Sequence, residues 1–196
     1  MKRIITGLAI IFLGTIAFAA DPNDVIQSAT DELAVELEGR KAELKENKDE
    51  LYALIDKILL PRFDRRYAAQ LVLGRHWRTA SGEQRDNFID VFYRSLLRRY
   101  SDGVLEFDQD RVELLPFRDD DTKDRTVVKS IVSLEDGTKV PVNYGMVLRD
   151  GGWLMFDVTI EGISYVRNFR TELNSEIQSS SLDAVIARLE SETRSN

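Results

Sequence analysis

The sequence predicts an α+β domain in which a curved antiparallel sheet is packed by helices. Three observations support this fold class. Up to about residue 102 the apolar residues recur at helical spacing, whereas between residues 104 and 160 they follow the pattern of strands. After residue 162 the helical spacing returns. This order of helices, sheet and helices is typical of an α+β domain, and a sheet covered by helices on one face can enclose an apolar pocket.

The first 19 residues are predicted to be a cleaved signal peptide. Lys2 and Arg3 form a charged start, residues 4–18 are apolar, and Ala17–Ala19 has small residues at the spacing of a cleavage site. The apolar stretch is shorter than the roughly 20 residues of a membrane span. We therefore expect export and cleavage after Ala19, which leaves residues 20–196 as one domain without an anchor.

The composition argues against several classes of partner. The chain carries a formal net charge of −7, and loss of the two positive charges Lys2 and Arg3 takes it to −9. Nucleic acids and anionic membranes bind proteins through clustered Lys and Arg, so the net negative charge of this chain argues against both as partners. The chain has no cysteine, so its stability must come from an apolar core and it cannot be lipidated through an N-terminal Cys.

Capping signals mark the first two predicted helices. Asp21 is placed as an N-cap with Pro22 at the first helical position, and apolar residues follow at four-residue spacing. The charged stretch 38–48 is predicted to be a loop or a frayed helix end. Asn47 and Glu50 then form a capping pair for the next helix.

Two further helices are predicted before the sheet. Pro61 disfavours helical backbone at the preceding residue, Leu60, and marks a turn. A short helix from about Asp64 to Leu73 should end at Gly74. A long helix should run from the capping box at Ser81–Gln84 to about Tyr100, with Gly103 closing it.

The central region predicts an antiparallel meander of three strands. Residues 127–134 lead into the turn dipeptide Asp136–Gly137, and residues 139–149 and 153–160 follow on either side of a second turn. Phe107 and the segment 112–117 are candidates for edge strands. The segment 119–124 is predicted to be a solvated loop, and helices should return after Gly162 and near Leu182.

Few residues are candidates for catalysis. His76 is the single histidine, so any metal site or Ser–His dyad would require it, and its neighbour Arg75 weakens both roles. Asp157 and Glu161 lie four apart in an extended segment and so point to one face. They could act as an acid–base pair. More often, acids in this pattern lie on the solvent-exposed face of a strand, or one of them accepts hydrogen bonds from the start of the next helix.

Two other patterns are incomplete. The acids within 108–113 and those at 119–121 could bind a cation, but neither group has the Gly and the spacing of a calcium loop. The segment Gly162–Tyr165 resembles the start of a nucleophile elbow, yet Val166 stands where the second Gly is required. We therefore expect neither a calcium site nor a serine nucleophile.

A cluster of arginines stands out in this acidic chain. Two interpretations stay open: the arginines pair with the nearby Asp64, Glu83 and Asp86, or some of them meet a phosphate headgroup or an acidic partner protein. The cluster comprises Arg62, Arg65, Arg66, Arg75, Arg78 and Arg85.

Several short motifs, taken in their order, resemble one protein family. They are Leu59–Asp64, Val72–Ala80, Gln84–Arg85 with Phe88 and Phe92, Tyr100, Val140–Tyr144, Gly152–Trp153, and Asp157–Ser164 with Val166–Arg170. Each motif is weak alone, but behind a signal peptide the set resembles the periplasmic phospholipid carriers of the Mla pathway, the MlaC or toluene-tolerance family.

The resemblance implies a function. Members have a nuclear-transport-factor-like core with added helices and hold the acyl chains of a glycerophospholipid between sheet and helices. They shuttle this cargo between an outer-membrane lipoprotein–porin complex and an inner-membrane ABC transporter with a lipid-binding ring, which maintains outer-membrane lipid asymmetry. The resemblance implies a periplasmic monomer that has no cofactor and is not an enzyme.

The resemblance also suggests which residues line the pocket. Only one parity of each strand can face inward, so the set is wider than the true lining. The predicted lining residues are Phe88, Phe92, Leu96, Val127, Ile131, Val142, Tyr144, Val147, Phe156, Val158, Ile160, Ile163 and Val166. The alternatives stay open: a protein of the same fold that is an enzyme using Asp157, Glu161 or Tyr144 or that binds a small ligand, or a periplasmic adaptor with a solid core and no cavity.

Overall fold

The computed structural model describes residues 21–117 and 124–194, so the predicted signal peptide and nearly all of the predicted loop 119–124 lie outside the described residues. One sheet with strands in chain order is packed by helices, which confirms the predicted α+β fold class. The strands are β1 Val112–Leu114, β2 Arg125–Ser133, β3 Lys139–Arg149, β4 Gly152–Ile160 and β5 Ile163–Ser164. The helices are α1 Pro22–Leu37, α2 Lys41–Glu46, α3 Lys48–Leu59, α4 Arg65–Leu73, α5 Arg75–Thr79, α6 Gly82–Leu105, α7 Tyr165–Ser179 and α8 Leu182–Arg194.

The helices begin where capping side chains satisfy free backbone N–H groups. The Asp21 carboxylate accepts from Asn23 N at 2.8 Å, and the Asn47 side chain accepts from Glu50 N at 3.3 Å. The predicted capping box at the start of α6 is complete, because the Ser81 hydroxyl accepts from Gln84 N while the Gln84 side chain accepts from Ser81 N, each at 3.0 Å. These starts confirm the predictions from sequence.

Other local predictions were wrong. Part of the charged stretch forms the short helix α2, which the fully buried Leu44 anchors to the core. Leu60 has helical backbone despite Pro61, although the predicted turn is present: α3 ends at Leu59, and a 3-10 turn follows in which Phe63 N donates to the Leu60 carbonyl at 3.4 Å. Helix α6 continues past Gly103 because Leu105 is buried in the core. Helix α5 and strand β5 were not predicted, and Phe107 lies outside the strands.

The register of the sheet shows which residues share a face. Tyr144 on β3 lies opposite both Val128 on β2 and Val158 on β4, so these three side chains point to one side of the sheet. On this side Ile26 of α1 belongs to one apolar cluster with Val128 and Met146. The residues between them along each strand point to the other side.

Three apolar clusters make up the core. The largest joins α4, α6, α7 and α8 around Phe88, Phe92 and Phe169. A second joins α1, α2 and α3 around Leu37 and Leu51, and the third is the contact between α1 and the sheet. Within the described ranges, no helix has the length and apolar character needed to cross a membrane.

Candidate functional site

A cavity of about 440 Å³ lies where the three apolar clusters meet. Its size falls within the range of ligand pockets. Helices α3, α6 and α7 and strand β4 form its walls, and nearly all of the lining side chains are apolar. The lining residues are Ile55, Leu59, Phe63, Ala68, Phe92, Tyr93, Leu96, Leu97, Tyr100, Ser101, Gly103, Val104, Met155, Phe156, Asp157, Val158, Ile160, Tyr165, Val166 and Phe169.

A β-bulge shapes the sheet wall of the cavity. Gly145 pairs with Asp157 and Met146 pairs with Met155, so Phe156 is an extra residue on β4. A Cβ atom at Gly145 would lie 3.0 Å from the Phe156 ring and 3.2 Å from Cβ of Asp157. The absence of a side chain at Gly145 therefore leaves the space that lets Phe156 reach the cavity.

The exposure of α6 shows where the cavity opens. Phe92, Leu96 and Tyr100 follow one another at four-residue spacing on its cavity face. Phe92 is only 3% exposed, Tyr100 is 39% exposed, and the nearby Gly103 is also exposed. The ring of Tyr165 on α7 packs edge-on against Tyr100 at 5.0 Å. We call the opening between Tyr100, Gly103 and Tyr165 the mouth.

Six of the thirteen residues predicted from the family resemblance line this cavity. They come from three of its walls: α6, β4 and the start of α7. The six are Phe92, Leu96, Phe156, Val158, Ile160 and Val166. Whether they contact lipid stays a prediction.

The other seven predicted residues lie elsewhere. Phe88 is fully buried in the helical cluster, one turn before Phe92. Val142 and Tyr144 share the sheet face of Val158, but Tyr144 packs into the cluster against α1 rather than against the cavity. Burial raises the pKa of the Tyr144 phenol.

The remaining four lie on the opposite sheet face or on β5. Val127, Ile131 and Val147 point to the sheet face opposite Tyr144 and do not line the cavity, as the parity argument anticipated. Val127 is 47% exposed and Ile163 is 63% exposed, whereas Val147 is buried.

Most residues of the helical wall were not predicted from the sequence. Tyr100 continues the Phe92–Leu96 spacing by one more turn, so helical periodicity could have identified it. Tyr93 and Phe169 also line the cavity but could not be distinguished from core residues, because a helix face that borders a cavity is as apolar as one that borders a neighbour.

The two predicted acids have different surroundings. One carboxylate oxygen of Asp157 accepts from the Ser164 hydroxyl at 2.5 Å, and the other accepts from Val166 N at 3.0 Å. Asp157 therefore holds the start of α7, as the helix-start interpretation predicted. Glu161 is exposed, with a φ of 49° in the turn before β5. Ser164 is the N-cap of α7, since its hydroxyl accepts from Arg167 N at 3.1 Å.

The remaining chemical candidates lie away from the cavity. His76 is half-buried on α5, and burial together with Arg75 lowers the pKa of its imidazole. Asp108 pairs with Arg111 at 3.1 Å. Within residues 21–117 and 124–194, no group of three or more His, Cys, Asp or Glu side chains is arranged so that it could hold a metal ion. Residues 119–121 lie outside those segments.

The arginine cluster is partly paired. Arg66 lies 3.4 Å from the Asp86 carboxylate, as predicted, and its guanidinium stacks on Trp77. Asp64, however, pairs with Arg149 at 2.8 Å. Arg62 pairs instead with Glu32 on α1. These contacts link helices to one another and to the sheet.

Comparison with known proteins agrees with this geometry. The family model described as MlaC protein matches residues 27–191. The chain is 30% identical over 161 residues to the toluene tolerance protein ttg2D of Pseudomonas putida, covering 82% of this chain and 74% of that protein. It is 21% identical over 174 residues to the intermembrane phospholipid transport system binding protein MlaC of Haemophilus influenzae, covering 86% of this chain and 80% of that one.

A solved structure has the same fold. The phospholipid-binding protein of Ralstonia solanacearum, in complex with a phospholipid, superposes with a TM-score of 0.79 at 23% identity, covering 89% of this chain and 98% of that one. The match to the family model spans most of the sequence, and the cavity lies within the matched residues. The chain belongs to the MlaC family.

Proposed function

We propose that this protein is a periplasmic carrier that binds a glycerophospholipid by its acyl chains. The observation that carries the proposal is the cavity of about 440 Å³, apolar on its walls and open at one end. Two relatives add support, since one is named as a phospholipid transport binding protein and the Ralstonia solanacearum protein was solved with a phospholipid. The lipid is cargo, so the role requires no catalytic group and no cofactor.

The proposal extends to transport between membranes. In this scheme the signal peptide is cleaved after Ala19, and the mature chain exchanges lipid between the outer-membrane lipoprotein–porin complex and the inner-membrane ABC transporter of the Mla pathway. Such exchange maintains outer-membrane lipid asymmetry. The family membership supports this scheme.

The energetics favour exchange on a docked partner. Burial of one methylene contributes about 0.8 kcal/mol, so two chains of roughly 15 carbons would gain on the order of 20 kcal/mol. Release of such a lipid into water would be extremely slow. The carrier must therefore open its cavity against a partner that accepts the chains.

Native mass spectrometry of the mature protein, purified from a Gram-negative host, tests the proposal. A stoichiometric added mass that fragments to glycerophospholipid would support a carrier and count its chains. A lipid-free mass, together with no uptake from phospholipid vesicles, would overturn it and favour the adaptor or the enzyme.

A pair of variants on one sheet shows whether the cavity is the site. Val158→Glu places a carboxylate in the cavity wall, where burial of an unpaired charge is costly, so the lipid occupancy should fall at least about tenfold. Val127→Glu is the matched control, because Val127 is exposed on the opposite face. Leu96→Glu, from the helical wall, is a second test should Val158→Glu fail to fold. Equal occupancy in the folded cavity variant and the control would place the lipid elsewhere.

A further inference from the structure

Tyr93 closes the inner end of the apolar cavity. Its side chain belongs to the cavity lining, and α6 continues from it to the mouth at Tyr100 and Gly103. One turn further inward, Phe88 and Ile89 belong to the packed helical cluster instead. The cavity therefore runs along α6 between Tyr93 and the mouth.

Three contacts hold the Tyr93 ring across this end of the cavity. The phenol donates to the Asp56 carboxylate at 2.7 Å, the Arg65 guanidinium lies 5.3 Å from the ring centre, and the Phe63 ring packs at 6.4 Å. Arg65 is itself held by Asp90 at 3.7 Å. Any other rotamer of Tyr93 would give up these contacts, so the ring forms a fixed wall.

A polar groove lies directly behind this wall. Asp56 and Asp90 line the groove together with Arg94, and Leu97 lines both the groove and the apolar cavity. Tyr93 and Leu97 thus separate an apolar space from one that charged side chains border. An acyl chain gains nothing by passing into the groove, because removing charged groups from water against methylenes is costly.

The distance from this wall to the mouth matches the length of an ordinary acyl chain. From Tyr93 to Gly103 the helix advances by ten residues, or about 15 Å at about 1.5 Å per residue. On β4 the lining runs from Met155 to Ile160, about 16 Å at about 3.3 Å per residue. The hydrocarbon core of a bilayer is about 30 Å thick, so the chains of one leaflet span about 15 Å. A chain of this length fills the cavity, and a longer chain meets Tyr93.

We infer that Tyr93 sets the upper limit on the acyl-chain length that the carrier accepts. This inference rests on the proposed function, since it concerns the chains of a bound phospholipid. Methylenes within the cavity are removed from water, whereas those beyond its length must stay at the mouth or displace Tyr93 from its three partners. The carrier therefore prefers phospholipids with chains of ordinary membrane length over those with longer chains.

Competition between two chain lengths tests the inference. Delipidated mature protein is incubated with vesicles that contain equal amounts of dipalmitoyl and diarachidoyl phosphatidylglycerol, and native mass spectrometry measures the ratio of the longer to the shorter bound lipid. The wild type should favour the shorter lipid. Tyr93→Ala makes room at the inner end and should raise the ratio about tenfold, the effect of burying roughly two more methylenes.

Tyr100→Ala is the matched control, because it removes the same side chain at the other end of the cavity. It should change the occupancy by both lipids alike and leave their ratio at the wild-type value. A ratio that rises in Tyr93→Ala and not in Tyr100→Ala supports the inference. A wild type without a preference for the shorter lipid, equal rises in the two variants, or no rise in either overturns it.

Two further variants separate the ring from its hydrogen bond and from folding. Tyr93→Phe keeps the ring against Arg65 and Phe63 and should keep the wild-type ratio, whereas a rise equal to that of Tyr93→Ala would overturn the ring as the limit. Should Tyr93→Ala fail to fold, Tyr93→Leu also shortens the wall and should move the ratio in the same direction. A wild type that takes up neither lipid would refute the carrier function itself, an outcome distinct from loss of the chain-length preference.

Discussion

Phe88 and Phe92 stack at 5.5 Å on consecutive turns of α6 and share one packed cluster, yet only Phe92 lies where that cluster meets the cavity. Phe88 is fully buried in the solid cluster of α4, α6, α7 and α8, whereas Phe92 also borders the cavity. The two regions share residue types and one continuous helix. The comparison teaches that apolar character marks a buried face, while the neighbouring elements decide whether that face meets side chains or a cavity.

The largest expected effect separates the two regions by stability. Phe88→Ala should lower the free energy of unfolding of lipid-free protein by about 3–5 kcal/mol, because it leaves a hole in a packed cluster. Leu96→Ala, on the cavity wall, should cost only about 1 kcal/mol, since the removed atoms already faced open space. Denaturant unfolding of both variants measures the difference. Similar losses would mean that the Leu96 wall is packed like the core.

The same comparison explains how much the sequence could predict. Helix starts such as Ser81–Gln84 and the hairpin turn at Asp136–Gly137 depend on neighbouring residues alone, so local patterns identified them. The helix α2 could not be identified this way, because only the buried contact of Leu44 explains it.

The site was harder to predict because it depends on long-range placement. The apolar alternation of β2 and β3 is visible in the sequence, but the face that meets helices depends on the register and on the position of α1. Val127 and Val147 were therefore included, although neither lines the cavity. The bulge at Phe156 shifts by one residue which β4 side chains share a face, and the Phe156 ring occupies the space beside Gly145 on the neighbouring strand, so the sequence of β4 alone does not reveal the bulge.

A smaller effect should follow from closing the space at the bulge. Gly145→Ala places a Cβ atom 3.0 Å from the Phe156 ring and 3.2 Å from Cβ of Asp157, so the sheet wall must shift. We expect a loss of about 1–3 kcal/mol in unfolding free energy, as for other overpacked sites, together with a lower lipid occupancy. Thermal unfolding and native mass spectrometry measure the two effects.

Gly151→Ala is the matched control for the same substitution. A Cβ atom at Gly151 would meet nothing within 4 Å, and its backbone is not left-handed. It should leave both quantities nearly unchanged. Equal effects in the two glycine variants would show that the loss comes from the backbone and not from contact with Phe156.

The smallest expected effect concerns the hydroxyl of Tyr93, a residue of the cavity wall. The Tyr93 phenol donates to the Asp56 carboxylate at 2.7 Å, and burial, followed by this bond, raises the pKa of Tyr93. In the unfolded chain a tyrosine ionises near pH 10. The folded protein holds that proton to higher pH, so the stabilisation from Tyr93 is complete below about pH 10 and is lost as the pH rises through the folded pKa.

Tyr93→Phe isolates this contribution. At neutral pH it should cost about 1 kcal/mol, the net worth of one hydrogen bond. Above about pH 10 the unfolding free energy of the variant should fall less steeply than that of the wild type, because one ionising group has been removed. Denaturant unfolding across this pH range measures both slopes. Parallel slopes would mean that Tyr93 ionises alike in both states, and the cavity wall would then be as open to solvent there as at its mouth.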